Sequence, residues 1–403
     1  MTIGIDASRA NLKRKTGTEW YAFYLIKNLA RLDKTNKYLL YLNEEPSLEL
    51  REVVKDNSNF VFKVLHWPFY SFWTLGRLSW EMIWRRPDVL FIPAHTMPLI
   101  YPKKTVNTIH DIAFTREKSL YRSDKVKTER VTSRKLIEVI VRLITFGKYR
   151  SDSLDYLYWS TEFALRRAKK IITVSNFTKN EILNVYSKVN GNKIKVIHNG
   201  YNNEAYKQIK DELKIQEIKE KYDLDFPYFL YIGRIEKKKN IPALIEAVSI
   251  LRDNYPEVKE KMVLIGDASF GYDEVKYIIE EFNLNLDVIM PGWIDEEDLP
   301  YILNGASAFI FPSKHEGFGI PLLQAMACGI PVAASDIPVF KEVAEGAVLY
   351  FDHHDRLAIS EAMAKLVKDE SLRQELVEKG LKRVENFSWE KCASKTLEEI
   401  TNF

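Results

Sequence analysis

The residues best suited to meet a charged ligand fall in one stretch near the carboxyl end, between Phe311 and Ser335. From Phe311 it reads Phe-Pro-Ser-Lys-His-Glu-Gly-Phe-Gly-Ile-Pro-Leu-Leu-Gln324. A strand ending at Phe311 would lead into a loop carrying Gly317, Phe318 and Gly319, with a helix starting near Pro321. Proline suits the first helical position, because its missing N–H would be unpaired there in any case. The N–H groups of Gly319, Ile320, Leu322 and Leu323 would then be free to face a phosphate, aided by the helix dipole. Gly317 and Gly319 permit a close backbone approach to a ligand. Glu316 stands where a carboxylate can accept hydrogen bonds from sugar hydroxyls. A strand, a glycine loop and a helix also occur as plain loop punctuation, so the pattern by itself names no reaction.

The same stretch resembles the Glu-x7-Glu segment of the family-4 retaining glycosyltransferases. In that family the first acid contacts the donor sugar and the second binds the nucleotide ribose. Glu316 matches the first position, but the second holds Gln324, which keeps an oxygen acceptor and loses the charge. A charged hydrogen bond contributes ~1.5–3 kcal/mol and a neutral one ~0.5–1.5, a difference of roughly 1 kcal/mol per bond. The departure therefore implies weaker nucleotide affinity and not inactivity. Upstream, Tyr228-Phe-Leu-Tyr-Ile-Gly-Arg-Ile-Glu-Lys-Lys-Lys-Asn240 is similar to the family's strand–Gly-Arg–Lys segment. Arg234 and Lys239 fall on its two basic positions, which hold the donor diphosphate. Fixed cations stabilise the charge that grows on a departing nucleoside diphosphate. Lys237 and Lys238 read as a solvated loop.

Two segments of the amino-terminal half extend the likeness. Lys15-Thr-Gly-Thr-Glu-Trp-Tyr21 resembles the family's first glycine loop, which implies that Gly17 lets the backbone approach the donor phosphates and acceptor. Thr108-Ile-His-Asp-Ile-Ala-Phe114 resembles its His-Asp motif, which places His110 near the transferred sugar and Asp111 on the acceptor side. Thr173–Glu181 and Phe387–Glu390 fit the family's segments before the interdomain crossing and at the final helix. The likeness is weakest from Ser119 to Ser160. It implies a retaining, metal-independent hexosyltransferase that uses a nucleotide-diphosphate sugar and no cofactor. The acceptor would be a glycan or lipid-linked molecule of polysaccharide or glycolipid synthesis. Gln324 leaves open a second reading, a non-catalytic nucleotide-sugar-binding subunit that scaffolds a glycan-assembly complex.

Short apolar runs alternating with amphipathic stretches must position these residues. After Thr2–Asp6 come Tyr38–Leu42, Asp88–Ile92, Val106–Ile109, Lys170–Val174 and Lys195–Ile197. A second series holds Tyr228–Ile232, Met262–Ile265, Asp287–Met290, Ala306–Phe311 and Pro331–Ala334. Nearly all-apolar runs of this kind are expected of parallel strands covered by helices on both faces. The expected fold class is α/β with GT-B architecture, two Rossmann-like doubly wound domains facing a central cleft. The boundaries are drawn at 1–199 for the acceptor domain, 200–385 for the nucleotide-sugar domain and 386–403 for a helix returning to the first. Such sheets bind ligands outside the carboxyl ends of their strands.

Composition sets the remaining limits. A chain of 403 residues exceeds what one core usually holds, and 46% hydrophobic with 29% charged residues describes a folded protein. Two cysteines, Cys328 and Cys392, suit a reducing compartment and carry no metal-like spacing. The expected location is the cytoplasm, with peripheral contact on the inner membrane face. The net charge of +3 hides a basic region, residues 101–170, with 17 Lys/Arg against 8 Asp/Glu, an excess of +9. It reads as a solvated helical surface or as a patch for anionic headgroups or a phosphate-bearing acceptor. No nucleic-acid motif accompanies it. Leu136–Phe146 is too short to span a bilayer. His353 and His354 between Asp352 and Asp355 read as a surface turn, and Asp223-Leu-Asp225 lacks the context of a metal-binding Asp-x-Asp. The aromatic run from Trp67 to Trp84 reads mainly as a helix packed under the first sheet, with an interfacial surface as the other reading.

Overall fold

The computed structural model describes residues 1–67, 73–116, 153–267 and 271–403. The chain divides into two compact units, Met1–Gly200 with Trp389–Phe403, and Tyr201–Ser388. Both are parallel sheets flanked by helices, the α/β architecture expected.

The first sheet holds seven strands: β1 Thr2–Asp6, β2 Lys37–Leu42, β3 Phe60–Val64, β4 Val89–Ile92, β5 Thr105–Ile109, β6 Lys170–Thr173 and β7 Ile194–Val196. Their spatial order is β3-β2-β1-β4-β5-β6-β7, all parallel. Chain order reverses between β1 and β4, so the crevice beyond their carboxyl ends is the ligand position of this topology. β4 and β5 are buried along their whole length; β4 is apolar throughout, while β5 holds Thr105, Asn107 and Thr108 buried in the sheet. β3 was not among the expected runs. It is an edge strand, only half-buried, and its sequence Phe-Val-Phe-Lys-Val therefore lacks the all-apolar signature.

The terminal helix Trp389–Thr401 packs within this unit against the helix Gly17–Leu32. Trp389 stacks on Tyr24 with ring centroids 5.4 Å apart, and Lys170 Nζ donates to Glu399 Oε2 at 2.8 Å. Asn386–Ser388 belong to the other unit, three residues past the boundary drawn from sequence. There Phe387 meets Phe318 edge-on at 5.8 Å and carries the Arg383 guanidinium at 4.9 Å.

The second sheet holds β8 Tyr228–Ile232, β9 Lys261–Ile265, β10 Val288–Gly292, β11 Ala308–Phe311, β12 Val332–Ser335 and β13 Leu349–Phe351. The order β10-β9-β8-β11-β12-β13 reverses between β8 and β11. β13, a three-residue edge strand, also escaped the apolar-run reading. Asp211 caps the helix Glu212–Lys221 by accepting from the Lys214 N–H at 3.0 Å.

The aromatic run departs from its expectation. Trp73 is buried in the core and Trp67 packs against it, but the α-helix covers only Ser79–Trp84, after a π-helical turn at Thr74–Leu78. Trp80 and Trp84 face solvent, 60% and 72% exposed, so packing under the sheet does not explain them. Phe69, Tyr70, Phe72, the run Leu136–Phe146 and residues 117–152 of the basic region lie outside the described residues. Among the described residues no helix is long and apolar enough to cross a membrane.

Candidate functional site

In the second unit, the loops after β8 and β11 meet at the reversal of strand order. Beyond β8 the backbone stays tied to the neighbouring strand's exit. Gly233 N–H donates to Ile265 O at 2.9 Å and Ile235 N–H to Asp267 O at 3.0 Å. Tyr231 Oη donates to Arg234 O at 3.0 Å. Arg234 thus has a fixed backbone and an exposed guanidinium with no partner among the described residues. Lys237–Lys239 form a 3-10 turn, and Asn240, in the left-handed region at φ 60°, starts the helix Ile241–Asn254. Its side-chain amide donates to His353 O at 2.7 Å.

The two loops are joined by two bonds. Lys314 N–H donates to Lys238 O at 3.2 Å, and Lys239 Nζ donates to Glu316 Oε1 at 2.5 Å. Ser313 Oγ donates to the same carboxylate oxygen at 2.8 Å. The Lys239 and Glu316 side chains are only 16% and 12% exposed, so their attraction is weakly screened. Glu316 Oε2 makes no hydrogen bond among the described residues and stays available to a ligand.

Gly319 adopts φ 97° and ψ 57° as the residue before the helix Ile320–Ala327. A Cβ there would sit 2.9 Å from the Phe340 ring, so both backbone and packing require glycine. The N–H groups of Gly319 and Ile320 have no partner among the described residues, but the expected fan of four is smaller. Leu322 N–H donates to Gly319 O at 3.0 Å, because the left-handed Gly319 swings its carbonyl into the first turn. The side chains of Leu322 and Phe318 are core; the Phe318 ring packs on Phe387. Gln324 follows Ile320 by one turn on the same helix face, half-buried, with no side-chain partner among the described residues. Since Glu316 balances Lys239, Arg234 and the two amides are left to face an anion. Sequence reading missed Ser313; its place three residues before Glu316 in a strand-exit loop was the available signal.

In the first unit, the loops after β4 and β5 are interlocked. His110 Nε2 lies 2.9 Å from Pro93 O and His95 Nε2 lies 2.7 Å from Asp111 O. A carbonyl can only accept, so both Nε2 atoms carry the proton and Nδ1 of a neutral His110 is left as an acceptor. Tyr21 meets the His110 ring edge-on at 4.7 Å. Asp111 Oδ1 accepts from Ala113 N–H at 3.1 Å, which shapes the loop. Gly17 opens the helix Gly17–Leu32, and a Cβ there would touch nothing within 4 Å, so folding within the unit leaves that space open. Glu19 on the same turn acts electrostatically on His110, so the helix start and the histidine share one neighbourhood. His95 was missed; its place just past β4 was the available signal.

Burial, then the charge of His95, pulls His110 down to about 4. The unfolded chain therefore takes up a proton first, and stability falls as pH drops from about 6.5 towards about 4. The expected loss is roughly 3 kcal/mol relative to a His110→Gln variant. Urea denaturation of both proteins at the two ends of that range checks it.

The other motifs serve structure. Asp355 caps the helix Arg356–Lys368, and Asp352 Oδ1 accepts from His354 N–H at 2.8 Å, which makes the His353–His354 run a turn. Asp225 Oδ1 accepts from Gln216 Nε2 at 2.7 Å. Among the described residues no cluster of His, Cys, Asp and Glu is placed to hold a metal ion.

Known proteins resemble this chain in sequence and in fold. The family model for Glycosyltransferase Family 4 matches residues 15–205, and that for Glycosyl transferases group 1 matches residues 214–383. O-antigen chain mannosyltransferase B of Escherichia coli is 31% identical over 263 residues, 64% of this chain and 67% of that one. Serotype-specific mannosyltransferase WbdA of Escherichia coli is 30% identical over 315 residues, 77% of this chain, which spans 34% of WbdA's length. The crystal structure of Anabaena HepE in complex with UDP and glucose covers 100% of this chain and 99% of its own, with a TM-score of 0.71 at 16% identity. That of WaaG, a glycosyltransferase involved in lipopolysaccharide biosynthesis, covers 100% of both chains with a TM-score of 0.70 at 13% identity. Identities that low speak for the fold alone. Two tandem family matches, a relative above 30% identity and a shared two-domain fold place this chain in the family-4 glycosyltransferases of GT-B fold.

Proposed function

We propose that the protein moves a mannosyl group, with retention and without a metal, from a nucleotide-diphosphate sugar to a glycan or lipid-linked acceptor in polysaccharide synthesis. The observation that carries the donor site is the Lys239–Glu316 bond, which joins the loops after β8 and β11 where strand order reverses. The mannosyl assignment rests on the names of the relatives from Escherichia coli. The complexes of HepE with UDP-glucose and with UDP and glucose are consistent with a nucleotide-sugar donor on this fold.

In this reading Arg234, Lys239 and the amides of Gly319 and Ile320 receive the diphosphate. The cations take the charge-balancing role that a metal plays elsewhere. Glu316 accepts from sugar hydroxyls through Oε2, Gln324 holds the ribose, and Gly317 lets the backbone pass close to the sugar. On the first unit, Gly17 leaves room for the phosphates, His110 offers Nδ1 to the transferred sugar, and Asp111 stands on the acceptor side. Glu316 Oε1 is occupied by Lys239 and Ser313, which suits a positioning carboxylate better than a nucleophile. The anomeric carbon–phosphate oxygen bond breaks as the acceptor oxygen bonds on the same face, and the acceptor proton passes to the leaving phosphate. The protein would work in the cytoplasm against the membrane's inner face.

Calorimetry with a panel of nucleotide sugars, on this chain and on Gln324→Glu, tests the donor site. One donor should bind, and the added charge should tighten it about fivefold, the equivalent of roughly 1 kcal/mol. Failure of both forms to bind any nucleotide sugar would sink the assignment. Trapping a covalent sugar–enzyme intermediate would sink the same-face mechanism.

A further inference from the structure

The first unit carries a second concentration of unopposed positive charge, set apart from the loops that follow its strands. A cavity of about 210 Å³ is lined by alternate residues of β2, Lys37, Leu39 and Tyr41, which project from one face of the sheet. Thr2 of β1, Lys63 of β3, and Glu81 and Arg85 of the segment that follows the π-helical turn complete its wall. The side chains of Lys37, Lys63 and Arg85 have no hydrogen bond or ion pair among the described residues. The one carboxylate, Glu81, is engaged by Arg77 at 3.3 Å. Tyr41 is 1% exposed, and its hydroxyl has no hydrogen-bond partner among the described residues. A buried hydroxyl is normally satisfied, and cations gathered at one cavity repel one another. One kind of ligand relieves both conditions. A phosphate brings negative charge for the cations and acceptor oxygens for Tyr41.

The same helix says where that phosphate comes from. Trp80, Ile83 and Trp84 are spaced to share one face and are 60%, 39% and 72% exposed. The two indole rings lie 6.4 Å apart. Glu81 and Arg85 form the next stripe round the helix, so the exposed indoles and the cavity wall are adjacent. Ser79 Oγ accepts from Leu99 N–H at 2.7 Å, which brings the exposed Ile100 to the first turn of this helix. Tryptophan is favoured at membrane–water boundaries, and neighbouring arginines are drawn to anionic leaflets. We propose that the cavity bounded by Lys37, Tyr41, Lys63 and Arg85 binds the phosphate headgroup of an anionic phospholipid, at a membrane surface on which Trp80, Ile83 and Trp84 rest. This contact lies ahead of the basic region at 101–170 and does not depend on the transferase reading.

Flotation of the full chain with vesicles tests it, using phosphatidylcholine alone or with phosphatidylglycerol added. The protein should float only with phosphatidylglycerol. Binding should fall about fivefold for each cation removed, and roughly a hundredfold in Lys37→Gln/Lys63→Gln/Arg85→Gln. Trp80→Ser/Trp84→Ser should lower it at least tenfold, as roughly expected from the lost apolar contact. Tyr41→Phe should weaken it severalfold, although the substitution removes a hydroxyl that no described residue engages. Nucleotide-sugar binding, measured by calorimetry, should be unchanged in every variant; its loss in a variant would mark misfolding, and Tyr41→Phe then decides. Undiminished flotation of the triple-cation variant overturns the cavity as the headgroup site. If inorganic phosphate raises the Tm of the parent but not of the triple variant, and no vesicle retains the parent, the ligand is a soluble phosphate and the lipid assignment falls.

Discussion

Lys239→Met should lower glycosyl transfer by about 10²–10³-fold, the usual loss when one fixed charge facing a developing anion is removed. The same change should cost stability. It leaves the Glu316 carboxylate, 12% exposed, with only the Ser313 hydroxyl as donor among the described residues. Breaking a fully buried pair costs about 3–5 kcal/mol, and this pair keeps some solvent, so roughly 2 kcal/mol is expected. Lys239→Met/Glu316→Gln separates the effects. Neutralising the orphaned carboxylate should recover most of the stability and none of the rate. Steady-state kinetics and urea denaturation of the three proteins read both quantities. A single variant that unfolds more easily but transfers at the parent rate would make Lys239 a strut between two loops, out of reach of the donor.

Gly266→Ala should rank among the most damaging single substitutions in the second unit. A Cβ at Gly266 would lie 1.9 Å from the carbonyl oxygen of Gly233, and φ there is +148°. The obstacle is backbone, so no side-chain rotation relieves it, and the exits of β8 and β9 must move apart. That displacement breaks the ties that hold Gly233 and Ile235, between which Arg234 sits. A loss of at least about 3 kcal/mol is expected, with weakened nucleotide-sugar binding beyond what stability accounts for. Gly346→Ala is the control. Its φ is +84°, but an added Cβ meets nothing within 4 Å, so only left-handed strain of about 1 kcal/mol applies. Denaturation curves for both and calorimetry for the folded ones decide the matter. Equal losses would mean that the contact at Gly233 relaxes freely.

The strands that carry the site were legible because burial on both faces favours short runs rich in apolar and β-branched residues. Val106–Ile109 and Tyr228–Ile232 fall on or within β5 and β8. β3, a half-buried edge strand interrupted by Lys63, and β13, only three residues long, were missed. Glu316 could be picked out from its place in a glycine loop after a strand and from its match to the Glu-x7-Glu segment, and Arg234 and Lys239 from their match to the basic positions of the strand–Gly-Arg–Lys segment. Whether their side chains meet could not be read, since 77 residues separate Lys239 from Glu316.

Local sequence determined what depends on near neighbours: the parallel α/β class, the glycine at 319 and the helix that follows it. It also set the cap at Asp211. Tertiary structure decided what depends on residues brought together from afar. It gave Leu322's amide to Gly319, paired Lys239 with Glu316 and set His110 against Pro93. It also turned Trp80 and Trp84 outward beside a cavity whose cations come from β2, β3 and the end of their own helix. A residue's type fixes which bonds it can make, but only the folded packing fixes which partner arrives and whether water is excluded.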